Sequence, residues 1–237
     1  MNVTVWNEQD HDQAAYKDGI HTTIAKFLSE SGQFNKVRTA TLSQAEHGLT
    51  EEVLNDTDVL LWWGHCSHHL VLDEIVERVA RRVLGGMGLI ILHSGHASKI
   101  FQKLLGTRTN MLRWREIGER ELVWVIDHNH PITADIGEYI DIPQTEMYGE
   151  HFGIPTPDEL LFISWYEGGE VFRSGCTFKR GFGKIFYFSP GHESFLIYEM
   201  PDIQRVLINA AKWACPVSYP KVESNMTQPI MPVGRHE

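Results

Sequence analysis

An α/β fold with a mainly parallel sheet and helices on both faces is predicted by three observations. Short, wholly apolar runs recur ("NVTVW", "DVLLWWGH", "GLIILH"), helical patterns lie between them, and clusters of polar residues follow each run. A strand buried on both faces reads as a continuous apolar stretch. Strand–helix–strand units joined by short links imply right-handed crossovers and therefore parallel pairing.

Residues 2–6 give the first strand, and the stretch 14–31 places Ile20, Ile24, Phe27 and Leu28 on one helical face. Residues 58–65 give the next buried run, rich in side chains that suit strands. The helix after it is the clearest in the chain. Leu72, Ile75, Val76, Val79, Ala80, Val83 and Leu84 follow an i, i+3, i+4, i+7 pattern, and Gly85-Gly86 supply the stop. "GLIILH" is then a strand and 97–106 a short helix. Further on, "LVWVI" (122–126), "LLFISW" (160–165), "EVFRS" (170–174) and "IFYF" (185–188) read as strands, and "EGGEVFRSG" as a hairpin turning at Gly168-Gly169. The polar, proline-containing stretch 127–158 reads as a long connection, which is unusual unless functional. A last helix over roughly 200–214 buries Ile203, Val206, Leu207, Ala210 and Trp213. Residues 1–215 are expected to form one domain. The segment 216–237, with Pro216, Pro220, Pro229 and Pro232, is expected to run along the surface or reach a neighbouring subunit.

The 237 residues are 42% hydrophobic and 22% charged, which is ordinary globular material. A formal charge of −10 argues against a nucleic-acid backbone or an anionic membrane as partner. No apolar run is long enough for a membrane span, and "MNVTVWNEQD" lacks a basic and apolar leader, so a soluble, cytoplasmic protein is expected. Three scattered cysteines do not make a disulfide framework. The anomaly is 13 histidines, several in tight clusters. Histidine is the commonest metal ligand and the acid/base of neutral pH.

Ligands of an open parallel sheet bind outside the carboxyl ends of its strands. By that rule Asn7, Glu8 and His11 follow the first strand, and His65, His68 and His69 the second run. His93, Ser94 and His96 follow "GLIIL", Asp127, His128 and His130 follow 122–126, and Ser189, His192 and Glu193 follow "IFYF". All five clusters are expected on one rim. His65/His69 and His93/His96 also have the spacing at which a helical turn offers two imidazoles to one ion, although no H-E-x-x-H motif is present. Taken singly, such histidines are as readily caps or solvated loop residues. Glu146, Tyr148, Glu150 and His151 fall in one loop suited to proton transfer, and Arg173 is available to an anionic or hydroxyl-rich ligand. Of Trp62, Trp63, Trp114, Trp124 and Trp165, one or two are candidates to stack on a sugar face, and most are assigned to the core. Cys66 is a nucleophile candidate only if a partner lowers its pKa, and it lies outside the sharp turn after "GLIIL". Cys176 and Cys215 read as structural.

"GMGLIILHSGHASK", "HPITADIGEYIDIPQTEMYGE", "GGEVFRSG", "GKIFYFSPGHES" and "NAAKWA" together resemble the trehalose-utilisation (ThuA-like) family over residues 1–215. The resemblance implies a flavodoxin-like, doubly wound sheet like that of class I glutamine amidotransferases. It also implies loss of their cysteine chemistry, because the elbow reads "LHSGH". The family's recurring polar residues fall on His93, His130, Glu146, Tyr148 and His192. The activity implied is action on 3-keto-glycosides, made by a partner sugar oxidoreductase, through proton abstraction beside the carbonyl, as isomerase, epimerase or lyase. Glu146 is the expected base, with Tyr148 or His192 moving the second proton and His93 completing the catalytic set. A divalent metal, zinc or manganese, is expected on His65, His93 and His192, with His69 or Glu8 next. Asn7, Glu8, His96, His130, Glu150 and Arg173 are the expected substrate contacts. The alternatives are a non-catalytic carbohydrate- or metal-binding protein and a Cys66-dependent hydrolase. A homo-oligomer is expected from the aromatic content and the tail.

Overall fold

The computed structural model describes residues 1–8, 15–217 and 228–234. His11 and Pro220 lie outside these residues. The first half comprises β1 (Asn2–Asn7), α1 (Ile20–Glu30), β2 (Lys36–Thr41), α2 (Glu51–Asn55), β3 (Val59–Trp63), α3 (Asp73–Leu84), β4 (Gly88–Leu92) and α4 (Lys99–Leu105). The second comprises β5 (Arg113–Val125), β6 (Tyr139–Gly149), β7 (Glu159–Tyr166), β8 (Val171–Arg180), β9 (Gly183–Phe188) and α5 (Pro201–Ala214).

These strands form one nine-stranded mixed sheet in the order β2-β1-β3-β4-β9-β8-β7-β5-β6. From β2 to β9 all pairings are parallel, and from β9 to β6 all are antiparallel. Alternating side chains of the parallel strands feed two cores. Val3, Val5, Val59, Leu61, Ile90 and Leu92 pack against α1 and α5. Trp6, Leu60, Trp62, Leu89 and Ile91 pack against α3 and α4, with Trp6 stacked on Trp62 at 3.9 Å. Helices therefore cover both faces of the parallel end. Among the described residues no helix is long and apolar enough to cross a membrane.

Several expectations are corrected. The strand read at 122–126 is only the end of β5, which spans 13 residues. The stretch read as a long connection contains β6, an edge strand, where Pro143 is tolerated because an outer strand need not donate every ladder bond. β2 and α2 were not read at all. β2 is the opposite edge strand, and its Lys36-Val-Arg-Thr pattern carries no apolar run, as suits an edge that must not pair further. Leu72 and Leu84, assigned to the buried stripe of α3, are half exposed at its two ends. The Gly168-Gly169 hairpin between β7 and β8 forms as expected, with Gly169 at φ 97°.

Because β5 runs antiparallel to β7, its C-terminal end lies at the end of the sheet opposite the carboxyl ends of β1, β3, β4 and β9. Asp127, His128 and His130 are therefore carried away from the common rim. β6, antiparallel to β5, delivers Glu146 and Tyr148 to that rim instead.

Candidate active site

β4 ends in a sharp turn. His93 adopts a left-handed backbone at φ 51°, a conformation uncommon outside glycine, and opens the 3-10 turn His93–Ala97. Such strained residues cluster where function requires a side chain to leave the strand end at a fixed angle. Two residues on, a Cβ on Gly95 would stand 3.1 Å from Ile91 and 3.3 Å from the Trp62 carbonyl oxygen, so a side chain there would press the turn away from β3 and β4 by a few tenths of an ångström.

The His93 ring is fixed by its neighbours. Its Nδ1 is 3.0 Å from the carbonyl oxygen of Ser189 at the end of β9. A carbonyl only accepts, so Nδ1 carries the proton and Nε2 faces Glu146 Oε2 and the Tyr148 hydroxyl, each at 3.2 Å. Tyr148 also shares a 2.5 Å hydrogen bond with Ser94 Oγ. Both residues from β6 are buried.

From β3, His65 reaches the same point. Its Nδ1–H donates to Glu193 Oε1 at 2.8 Å. Glu8, at the end of β1 and 1% exposed, accepts the backbone N–H groups of Cys66 (2.6 Å) and Ser67 (3.1 Å) and so holds the loop that carries His65. From β9, His192 sits in a turn whose Gly191 carbonyl oxygen accepts from Trp63 Nε1 at 3.0 Å. A Cβ on Gly191 would overlap the Tyr198 hydroxyl, so only glycine fits there. His192 Nδ1 accepts the N–H of Ser194 at 3.1 Å. Its Nε2 must then carry the proton in the neutral ring, and that atom is buried with no hydrogen-bond partner among the described residues. It lies 4.0 Å from Glu146 Oε2 and 3.5 Å from Glu116 Oε1.

The charges follow from this packing. Burial, reinforced by His93, lowers the His192 pKa to about 4. Burial and His93 likewise lower His96 to about 3. Burial opposes the charged form of His65, but the hydrogen bond and charge of Glu193 outweigh it and raise its pKa. Burial would raise Glu193, yet its contacts with His65 bring it down to about 2. Glu146 shows the same contest. Burial favours its neutral form, while the adjoining His93 and His192 rings and the Tyr148 hydroxyl prevail, so it stays below its ordinary value. Burial and the Glu146 charge push the Tyr148 phenol well above its ordinary value.

His96 makes a measurable prediction. Its folded pKa lies below the 6.5 of a free ring, so the unfolded state binds the proton first as pH falls. Stability is then lost as pH drops below 6.5, by ~1.4 kcal/mol for each pH unit down to the folded pKa. Urea unfolding at pH 7 and pH 5 is expected to show this loss in wild type and to show about 2 kcal/mol less of it in His96→Gln. Equal pH slopes in the two proteins would refute it. His192 acts in the same direction and His65 in the opposite one.

The expected site residues divide accordingly. His65, His93, His192, Glu146, Tyr148 and Glu8 come together, and His96 lines the cleft with Ser94. The metal-capable group is His65, His93, His192 and Glu193, whose ligand atoms lie within 4.8 Å of one another. The helical spacings read from sequence do not build it. His69 is exposed outside the group, and His96 turns its Nδ1–H to the His93 carbonyl at 3.1 Å. Asn7 Nδ2 donates to His21 at 3.0 Å. His130 is at the far end of the sheet beside Trp213 and Glu159, 3.4 Å from the latter. Arg173 is engaged in a bidentate pair with Glu150 at 2.8 and 2.9 Å, so each neutralises the other. Cys66 is an exposed thiol whose Sγ is 3.4 Å from His65 Nδ1, the nitrogen that Glu193 already occupies. A thiol–imidazole–carboxylate relay needs its two partners on opposite ring nitrogens, and that arrangement is missing here.

A cleft of about 330 Å³ opens over these groups, lined by His65, Ser94, His96, Trp114, Glu116 and Glu146 among others. Glu116 is the addition that sequence reasoning left out, while Glu193 was read on the rim and Trp114 among several tryptophans, neither with a specific role. Glu193 was visible in the "SPGHES" cluster. Glu116 and Trp114 lay in a charged stretch with no readable periodicity.

No functionally curated protein matches the sequence. Solved structures share the fold. A ThuA-like protein from Parabacteroides merdae superposes with a TM-score of 0.69 at 14% identity, covering 94% of this chain and 92% of that one. A ThuA-like protein from Bacteroides uniformis gives 0.65 at 14% identity, covering 90% of each chain. A Salmonella typhimurium protein described as cytoplasmic gives 0.64 at 12% identity, covering 91% of this chain and all of that one. The sequence profile of the ThuA family, described as trehalose utilisation, matches residues 2–214, and the chain belongs to that family.

Proposed function

We propose that the cleft abstracts a proton from the carbon beside the carbonyl of a 3-keto-glycoside, with Glu146 as base. The observation that carries this is the Glu146 carboxylate itself. Its Oε2 is buried, accepts no hydrogen bond among the described residues, and stands beside two imidazole Nε2 atoms in an open cleft. A carboxylate so placed has its lone pair free to take a proton. Abstraction alpha to a ketone develops negative charge on the carbonyl oxygen, which must be met by a donor or a cation. The neutral Nε2–H of His192 is the protein's own donor. Tyr148, held by Ser94 beside His93, is placed to carry the second proton. Return of the proton to a neighbouring carbon completes an isomerisation, and its return to the other face an epimerisation.

The donor set suits zinc or manganese. His65 and His93 each give their Nδ1–H to an acceptor, Glu193 and the Ser189 carbonyl, which leaves each Nε2 lone pair available in the manner of oriented metal ligands. His192 has the opposite tautomer, so it is proposed as donor rather than ligand. His65 and His93 would hold the ion through those atoms, with Glu193 orienting His65 from behind, and the ion would supply Lewis-acid stabilisation of the developing oxyanion. The keto group implies an oxidoreductase as metabolic partner. The parallel end, with its order β2-β1-β3-β4-β9 and helices on both faces, favours a flavodoxin-like, doubly wound reading of that half of the sheet.

The test is wild-type protein incubated with a 3-keto-disaccharide in deuterated water, with zinc or manganese supplied. Deuterium entering the carbon beside the ketone, followed by NMR, is the expected result. No exchange above the background rate with either metal would sink the reading.

A further inference from the structure

The outer wall of the cleft carries groups that proton transfer does not use. Trp114 and Glu116, two residues apart on β5, line it together with Leu112. Trp114 is 66% exposed, whereas Trp6, Trp62 and Trp63 are fully buried. A large ring left in water on a cleft wall is a surface waiting for an apolar face. It lies directly across the strand pair from Tyr148, so it borders the reacting groups. Glu116 is 43% exposed, and its Oε1 stands 3.5 Å from His192 Nε2, at the inner end of the same wall.

The charge of the lining narrows the ligand. Glu116 and Glu146 contribute carboxylates, Glu193 stands just behind His65, and no lysine or arginine is among the described residues lining the cleft. A phosphorylated or carboxylated sugar would face like charge there without a compensating cation, whereas the hydroxyls of a neutral sugar donate well to carboxylates.

We propose that Trp114 and Glu116 form the recognition wall for a neutral, unphosphorylated glycoside. Trp114 packs on the C–H face of a pyranose ring, and Glu116 accepts hydrogen bonds from its hydroxyls. This rests on the reading of the cleft as a keto-sugar site and adds to it a substrate class and the residues that select it. The indole face is electron-rich and apolar, matched to the weakly positive C–H bonds of one sugar face. A charge-assisted hydrogen bond from a hydroxyl to a carboxylate gives orientation as well as affinity.

Titration calorimetry on the full chain, with trehalose and trehalose 6-phosphate as probes, tests this independently of turnover. Wild type is expected to bind trehalose at least about tenfold more tightly than its phosphate. Trp114→Ala is expected to weaken trehalose by about tenfold and Trp114→Phe by less than about threefold, because a phenyl ring keeps the stacking face. Glu116→Gln is expected to weaken trehalose and to narrow its advantage over the phosphate. Unchanged affinity in Trp114→Ala, tighter binding of the phosphate, or no sugar binding by wild type would each overturn the proposal. So would sedimentation showing that Trp114→Ala dissociates an oligomer, which would make Trp114 a subunit contact. Trehalose binding with these mutant effects but without deuterium exchange would remove the proposed reaction and leave the wall standing. Exchange with an unaltered KM in Trp114→Ala would do the reverse.

Discussion

Glu146→Gln is expected to lower turnover of a 3-keto-disaccharide by roughly 10²–10⁴-fold with little change in KM. Glutamine keeps the shape of the side chain and its contact with His93, but its amide cannot take a proton. What is lost is the carboxylate's charge and its basic lone pair at Oε2, an atom that accepts no hydrogen bond from the protein among the described residues. Stability should change much less. The carboxylate is held below its ordinary pKa, so its charge contributes modestly to the fold at neutral pH, and the variant is expected to melt at or slightly below the wild-type temperature. Steady-state kinetics and a thermal melt therefore separate loss of the base from loss of the fold. Retention of more than a tenth of wild-type turnover would remove Glu146 from the role.

Glu8→Ala is expected to cost about 2–5 kcal/mol of unfolding free energy and to reduce activity by about 10–100-fold. Its carboxylate accepts two backbone N–H groups of the loop after β3, and alanine leaves both without that acceptor. The loop they anchor carries His65, so the loss reaches the site without any change to a reacting group. Glu8→Gln, which keeps one acceptor oxygen, should fall between wild type and alanine on both scales. Urea unfolding alongside kinetics checks this. A change below about 1 kcal/mol in Glu8→Ala would show that the loop holds itself.

The parallel half of the sheet was legible because its strands are buried on both sides and its helices are amphipathic. α3 and β4 needed nothing beyond periodicity. The rim rule then located Glu8, His65, His93 and His192 correctly, since their strands all run the same way. It failed at His130 because strand direction is set by pairing, and nothing within "LVWVI" says that β5 is antiparallel. β6 was hidden by a buried carboxylate. Its buried Glu146 replaces the apolar residue that would have completed an alternating pattern, and Pro143 marks it as a break. The metal-capable group draws on the ends of three strands, so no local spacing encodes it. Trp114 was one of five tryptophans considered for an exposed face, and nothing in the sequence separated it from the buried Trp62 and Trp63.

β5 also has a consequence for how such a protein can change. Its pairing with β6 is interrupted between Arg115 and Glu121, where Gly118 turns to φ 73°. Below the interruption the strand is a member of the sheet, holding Val123 and Val125 in the core. Above it, the same strand is a wall of the cleft. The irregular register lets one strand serve both purposes, but the wall is not free of its surroundings. Arg115 is tied to Glu119 and Glu170, and Glu116 stands 3.5 Å from His192, so an exchange at either position reaches the hairpin or the histidines, and Trp114 is the wall position whose exposed ring can be exchanged at least cost to both.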